Sequence, residues 1–137
     1  MNEVHLFLSG LLILTYVIGI MLIYLLVRNR LYFVRVARQT NSIRKLQLSK
    51  LNFDFENFLF TDTTKPIPFN IKSTHILLIL LFILINSIVL GFAFAFGFCY
   101  FNVSQNLGVI ISFLITIISL VGLIGFVKKR FSEYVMA

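Results

Sequence analysis

Three long apolar runs that lack charged residues restrict this chain to a membrane fold. They cover residues 4–27, 74–101 and 107–127, and none contains Asp, Glu, Lys or Arg. A helix needs about 20 apolar residues to cross the roughly 30 Å hydrocarbon core of a bilayer, so each run is long enough. Backbone amides in lipid must be bonded within their own segment, and three segments cannot close a barrel. We therefore expect an all-α membrane protein with three transmembrane helices and a single membrane domain over residues 1–137.

The composition agrees with this class. Hydrophobic residues make up 59% of the chain and charged residues 12%, whereas soluble domains have about 45–50% and about 25%. The chain therefore has little room for a water-soluble catalytic domain beside its helices.

The basic residues predict how the chain is oriented. Nine of the twelve lie between residues 28 and 72, the other three are residues 128–130, and the short connection 102–106 carries no charge. Basic segments are retained on the side of the membrane where synthesis occurs. We expect the N-terminus outside, with the long connection 28–73 and the basic tail 128–137 inside.

A basic segment follows the first apolar run and has a helical charge pattern. Arg28, Arg35, Arg38 and Lys45 are spaced by seven, three and seven residues, which places them on one face of a helix. The segment is expected either to extend the first helix or to form a separate surface helix. A basic face next to a membrane favours contact with anionic lipid headgroups, and a protein contact is the alternative.

The next stretch is unusually rich in aromatic rings for a loop. Residues 51–69 read LNFDFENFLFTDTTKPIPF and contain five phenylalanines. Burying one ring of 150–250 Å² favours association by several kcal/mol, at about 25 cal/mol per Å². We expect these rings to lie against headgroups or against a neighbouring protein, while Pro66 and Pro68 prevent helix formation just before the second run.

The apolar runs hold few chemical groups. Asn86 is the strongest polar group at depth, and it predicts an interhelical hydrogen bond or, as the alternative, a relay position shared with other subunits. The residues Gly91, Ala95 and Cys99 form a small-residue stripe suited to close helix packing, with the lone thiol of Cys99 expected to be buried. No catalytic residue and no metal ligand is predicted, since the chain has no nucleophile–base arrangement, phosphate-binding loop or paired cysteines.

Two short motifs of the long connection occur in the same order in a known family. Residues 53–58 read FDFENF, and residues 68–72 read PFNIK. The pair resembles the A-subunit family of NADH:quinone oxidoreductase, chain 3 of mitochondrial complex I, in which a CGFEPF-like stretch precedes P-F and a basic residue. The matching positions are Phe55, Glu56, Phe58, Pro68, Phe69 and Lys72.

Several positions depart from the family pattern. The family's loop Cys and Gly fall on Phe53 and Asp54, and its acidic pair in the second helix falls on Leu84 and Asn86. The Glu of the family's third helix falls on Phe126. The resemblance therefore implies a divergent member that lacks the intramembrane acids of a proton path.

The resemblance implies a role in an assembly. The chain would be a small core membrane subunit of complex I, the proton-translocating NADH:ubiquinone reductase, and would not be catalytic on its own. Its loop would shape the junction between the quinone site and the peripheral arm. The loop residues implied are Phe53, Asp54, Phe55, Glu56, Phe58, Pro68 and Phe69.

The same resemblance implies cofactors, partners and location. FMN, iron–sulfur clusters and ubiquinone would be carried by other subunits, and this chain would bind none of them. Partners would be membrane and peripheral-arm subunits and lipids, including anionic headgroups, without nucleic acid. The location would be the mitochondrial inner membrane, or the plasma membrane of a bacterium or archaeon. The alternatives are an accessory subunit of an oxidase or ATP synthase, and a standalone small membrane protein.

Overall fold

Three helices make up the part of the chain that the structure describes. The computed structural model describes residues 2–49, 69–101 and 103–133, with α1 at Asn2–Ser49, α2 at Thr74–Tyr100 and α3 at Gln105–Glu133. Each helix is long and apolar enough to cross a membrane, and none of the described residues is in a strand. For the described residues, the prediction of an all-helical fold with three helices long and apolar enough to span a membrane is confirmed.

The first helix is much longer than its apolar run. It continues past Val27 to Ser49, so residues 28–49, which were assigned to the connecting loop, are helical, and the alternative of an extended first helix is correct. The physical reason is that this segment contains no Gly or Pro. Its charged side chains favour water over lipid, but they do not interrupt the helical backbone. The extension adds roughly 33 Å of helix at 1.5 Å per residue.

The other two helices agree more closely with the sequence. α2 ends at Tyr100, one residue before the predicted end, and α3 begins at Gln105 and continues through the first part of the predicted basic tail to Glu133. Arg130 lies in the last turn of α3, where a positive charge complements the partial negative charge of the helix C-terminus.

The second helix lies between the other two. α2 packs along both α1 and α3, whereas α1 and α3 make few contacts with each other. Ser9 contacts Ala93, and Gly19 contacts Asn86, so the residue numbers rise along α1 as they fall along α2. Both pairs of neighbouring helices are antiparallel, and α1 and α3 therefore run in the same direction.

The apolar core is concentrated towards the basic ends of α1 and α3. It is formed by buried aliphatic side chains and one ring: Ile23, Val27, Val34, Ile76, Ile79, Ile83, Val127 and Phe131. In the other half of the bundle the buried positions include Ser9, Ser112 and Gly108. The packing between helices thus changes along the bundle from bulky apolar to small and polar side chains.

Replacing Ile83 by alanine tests this core. Ile83 is 0% exposed and its neighbour Leu84 is 45% exposed. We expect Ile83→Ala to lower the free energy of unfolding by about 2 kcal/mol, because the cavity removes packing that lipid cannot replace. Leu84→Ala is the matched control and should cost much less, since lipid or detergent fills the space. Unfolding in mixed micelles, followed by circular dichroism, measures both, and equal losses would contradict the assigned core.

Candidate functional site

A polar layer joins the three helices near the midpoint of α2. The Ser87 hydroxyl donates to Ser119 Oγ on α3 at 3.3 Å, and Tyr16 OH on α1 lies 3.2 Å from the same oxygen. These distances exceed the usual 2.7–2.8 Å between hydroxyl oxygens, so both interactions are weak. The layer nevertheless provides polar contacts among three helices that gain little hydrophobic attraction from one another in lipid.

Asn86 lies beside this layer and faces the interior. It is 5% exposed, and its side-chain oxygen lies so close to Gly19 of α1 that a methyl group there would overlap it. Its Nδ2 is buried and has no hydrogen-bond partner among the described residues. The amide nitrogen therefore does not make the predicted interhelical hydrogen bond there, and the side chain acts on α1 through close packing.

A second close approach joins α2 to α3. Gly91 is buried, and a methyl group on it would overlap Thr116 Oγ1. Thr116 donates that hydroxyl to the Ser112 backbone carbonyl at 2.9 Å, which satisfies it within its own helix. Ala95 lines the groove between the same two helices. Part of the predicted small-residue stripe therefore packs within this chain.

The expected burial of Cys99 is wrong. Cys99 is exposed because its neighbours make the helix contacts at this level. A methyl group on Gly97 would contact Ser9 Oγ at 3.4 Å, and one on Gly108 would contact Phe98 Cβ at 3.2 Å. The thiol points away from both interfaces.

Of the seven loop residues that the sequence singled out, Phe69 is the one that lies among the described residues. Its ring lies edge-on to Phe131 of α3, with 5.8 Å between ring centroids and 83° between planes. Lys128 Nζ lies 5.8 Å from the centre of the same ring, and Phe69 also packs against the apolar core. The other predicted loop residues lie outside the described residues: Phe53, Asp54, Phe55, Glu56, Phe58 and Pro68.

A short turn carries the chain from Phe69 into α2. The Lys72 backbone amide donates to Asn70 Oδ1 at 3.0 Å, and the Ser73 amide donates to the Asn70 carbonyl at 2.9 Å. Asparagine favours this arrangement because its side chain bonds the backbone two residues further on. The turn fixes the entry to α2 immediately after the Phe69 ring.

The basic face of α1 is only partly available to lipid. Arg28, Arg35 and Lys45 are exposed, but Arg38 is 2% exposed. Arg38 follows Val34 by four residues and so continues the buried stripe of α1. Arg38 therefore does not face headgroups as the spacing suggested.

The polar layer was not fully visible in the sequence. Asn86 and Ser87 stand out in the second run, but Tyr16 and Ser119 were missed. The sequence pattern that could have identified Ser119 is on α3, where Ser112, Thr116 and Ser119 recur at spacings of four and three on one face. Hydroxyl side chains in a transmembrane helix tend to face other helices.

The chemistry that this arrangement supports is limited. The polar layer has hydroxyl groups and Asn86 beside it has an amide, and none of these four side chains is a carboxylate, imidazole or amine. In the described part of the chain, no three His, Cys, Asp or Glu residues are grouped to hold a metal ion. His5, near the start of α1, stacks on Phe96 with 5.9 Å between ring centroids and 21° between planes.

Comparison with known proteins adds no relative. No family model, curated protein or solved structure matches this chain. The fold defines the class: a membrane protein with three helices long and apolar enough to span a bilayer.

The contact between Gly19 and Asn86 can be tested by substitution. We expect Gly19→Ala to destabilise the bundle by about 1–3 kcal/mol, because the added methyl group overlaps the amide. In the Asn86→Ala background the same methyl group has room, so the double variant should lose less than the sum of the single losses.

Gly10 provides the matched control on the same helix. Nothing lies within 4 Å of the position that its methyl group would take. Gly10→Ala should therefore be neutral or stabilise by up to about 1 kcal/mol through helix propensity. Unfolding in mixed micelles measures all four variants, and strictly additive losses would contradict the assigned contact.

Proposed function

We propose that this chain is a small core membrane subunit of complex I, the proton-translocating NADH:ubiquinone reductase. Its role there is structural: it supports the junction between the quinone site and the peripheral arm through the connection between α1 and α2. The proposal is supported by the motif pair of that connection and by the order of the three helices. It also places the chain in the mitochondrial inner membrane or in a prokaryotic plasma membrane.

The position of Phe69 is the observation that carries the proposal. Phe69 belongs to the second motif and is held by Phe131 and Lys128 at the basic end of α3. The connection therefore enters α2 from a fixed point beside that end. In the proposed orientation the basic ends face the matrix or cytoplasm, where the peripheral arm attaches.

The connection would supply the contact surface at this junction. The rings of Phe53, Phe55 and Phe58 would pack on neighbouring subunits, because aromatic rings favour burial in protein interfaces. The carboxylates of Asp54 and Glu56 would meet basic partners or solvent. Ubiquinone, FMN and the iron–sulfur clusters would be bound by those other subunits.

The exposed helix faces leave room for neighbouring subunits. Only 11% of the most apolar 18-residue stretch is buried in α1 and in α3, compared with 39% in α2. These faces leave a large apolar area for lipid or for neighbouring transmembrane helices. The extension of α1 beyond Val27 would reach further into the inner compartment.

The substituted family positions support a non-catalytic role. Leu84 and Phe126 are exposed, and Asn86 is buried, at the positions where the family has intramembrane acids. Neither apolar side chains nor an amide can take up and release protons. Proton transfer in the assembly would therefore use groups of other subunits.

Gentle solubilisation tests the assignment. We expect the chain to migrate with an NADH-oxidising assembly when membranes are extracted in a mild detergent and separated on a native gel. In-gel NADH oxidation and mass spectrometry of the band identify the assembly. Migration as a free small protein, or with an oxidase or ATP synthase, would contradict the assignment to complex I.

Replacing Phe69 tests its role at the junction. Phe69→Ala removes the edge-on ring contact and the cation–π contact, which together stabilise by about 1–2 kcal/mol. We expect the fraction of the chain found in the large assembly to fall several-fold on native gels, through the loosened connection. Phe113→Ala removes a ring from an exposed face and is the control. Equal incorporation of both variants would argue against the role assigned to Phe69.

A further inference from the structure

A groove with three arginines lies between the basic ends of α1 and α3. It has a volume of about 370 Å³. On the α1 side it is lined by Tyr24, Val27, Arg28 and Leu31, and on the α3 side by Arg130 and Glu133. The groove exists because α2 packs against both helices while α1 and α3 hardly touch.

The groove lies at the level where the apolar runs end. Tyr16 and Ser119 are in contact, which aligns the two parallel helices near the midpoint of α2. Arg28 is then roughly 18 Å further along α1 and Arg130 roughly 17 Å further along α3, at 1.5 Å per residue. Half of the hydrocarbon core is about 15 Å, so both guanidinium groups reach the headgroup region together.

The groove brings guanidinium groups from both helices together. Arg28 of α1 and Arg130 of α3 line it, as does Arg35, and the carboxylate of Glu133 on the same lining already pairs with Lys129 at 3.6 Å. The guanidinium of Arg130 lies over the Phe126 ring at 5.5 Å, which restricts its orientation. Guanidinium groups recognise phosphate through paired hydrogen bonds.

The remaining lining is suited to the rest of a lipid. Val27 and Leu31 provide the apolar floor of the groove, and Tyr24 and Tyr32 also line it. Tyrosine is enriched at the membrane–water boundary because its ring is apolar and its hydroxyl is polar. A free phosphate would use the arginines and leave this apolar surface uncovered.

We propose that this groove binds an anionic phospholipid, with the phosphate on Arg28 and Arg130 and the acyl chains descending between α1 and α3. Basic pockets between transmembrane helices are suited to such headgroups. The proposal goes beyond the assignment to complex I and holds for the chain in any assembly, since it uses residues of α1 and α3 alone.

A single introduced tryptophan can report on the groove, because the chain has no Trp. Tyr24→Trp places the probe in the groove, and Leu25→Trp places it at the same depth on another face, where Leu25 is 54% exposed. The full chain is reconstituted in bilayers in which either phosphatidylglycerol or phosphatidylcholine carries brominated acyl chains. Bromine quenches tryptophan fluorescence at contact, so quenching gives the relative affinity of each lipid.

We expect the Tyr24→Trp probe to favour phosphatidylglycerol over phosphatidylcholine by at least about tenfold, because both lipids carry the phosphate but the choline cation offsets its charge beside the two arginines. The Leu25→Trp probe should show no preference. Equal preference at both probes, or none at either, would overturn the site, and this comparison needs no arginine substitution.

A pair of double variants separates a defined site from a diffuse basic surface. Arg28→Gln with Arg130→Gln should abolish the preference, whereas Arg44→Gln with Lys45→Gln removes the same charge from exposed positions outside the groove and should preserve it. Equal loss in both would overturn the proposal in favour of general attraction to the membrane. Circular dichroism verifies the helix content of each variant.

Added inorganic phosphate distinguishes the two sources of the anion. We expect millimolar phosphate to leave the quenching by phosphatidylglycerol unchanged, because it cannot occupy the apolar floor. Displacement by phosphate would assign the groove to a free anion. In the native assembly, mass spectrometry that finds another protein crosslinked at the groove and no retained phospholipid would also overturn the proposal.

Discussion

Close approach of α2 to both of its neighbours is the constraint on which the bundle depends. Lipid solvates apolar side chains as well as other helices do, so association relies on van der Waals contact and on polar contacts between helices. Gly19 allows the Asn86 side chain of α2 to reach the backbone of α1. Gly91 allows the Thr116 side chain of α3 to reach the backbone of α2. A helix pair held at such points has little tolerance for added volume, because packed interfaces do not deform continuously. The central position of α2 follows, since it carries one partner of each contact.

This arrangement also explains why the two ends of the bundle differ. Small and hydroxyl-bearing residues allow the helices to approach closely through the layer of Tyr16, Ser87 and Ser119, where each polar contact is weak. Towards the basic ends the contacts become bulky, and Phe131 together with Phe69 closes the interface beside α2. The groove with three arginines lies at these ends between α1 and α3, which make few contacts with each other because α2 packs against both.

The sequence predicted the spans better than the ends and faces of the helices. Hydropathy located α2 to within one residue, because a membrane span must be continuously apolar. It missed the end of α1, since Arg28 marks where the hydrocarbon ends and nothing in residues 28–49 breaks a helix. It also misjudged Cys99 and Arg38, whose burial depends on which side of a helix meets another element. Asn86 was found because an amide in the middle of an apolar run is unusual. The partners of Ser87 were missed because they depend on how the helices align, and one apolar run does not specify that alignment.

The distribution of charge indicates where this chain can exert chemical selectivity. The polar layer holds hydroxyl groups and the neighbouring Asn86 holds an amide, so these side chains can orient helices and cannot store a proton. The fixed charges that the structure describes lie outside the apolar runs, and Arg28 and Arg130 bring two of them from different helices to one level. A phosphate between these residues would add a contact between α1 and α3, which otherwise touch little beyond the pair of Tyr16 and Ser119.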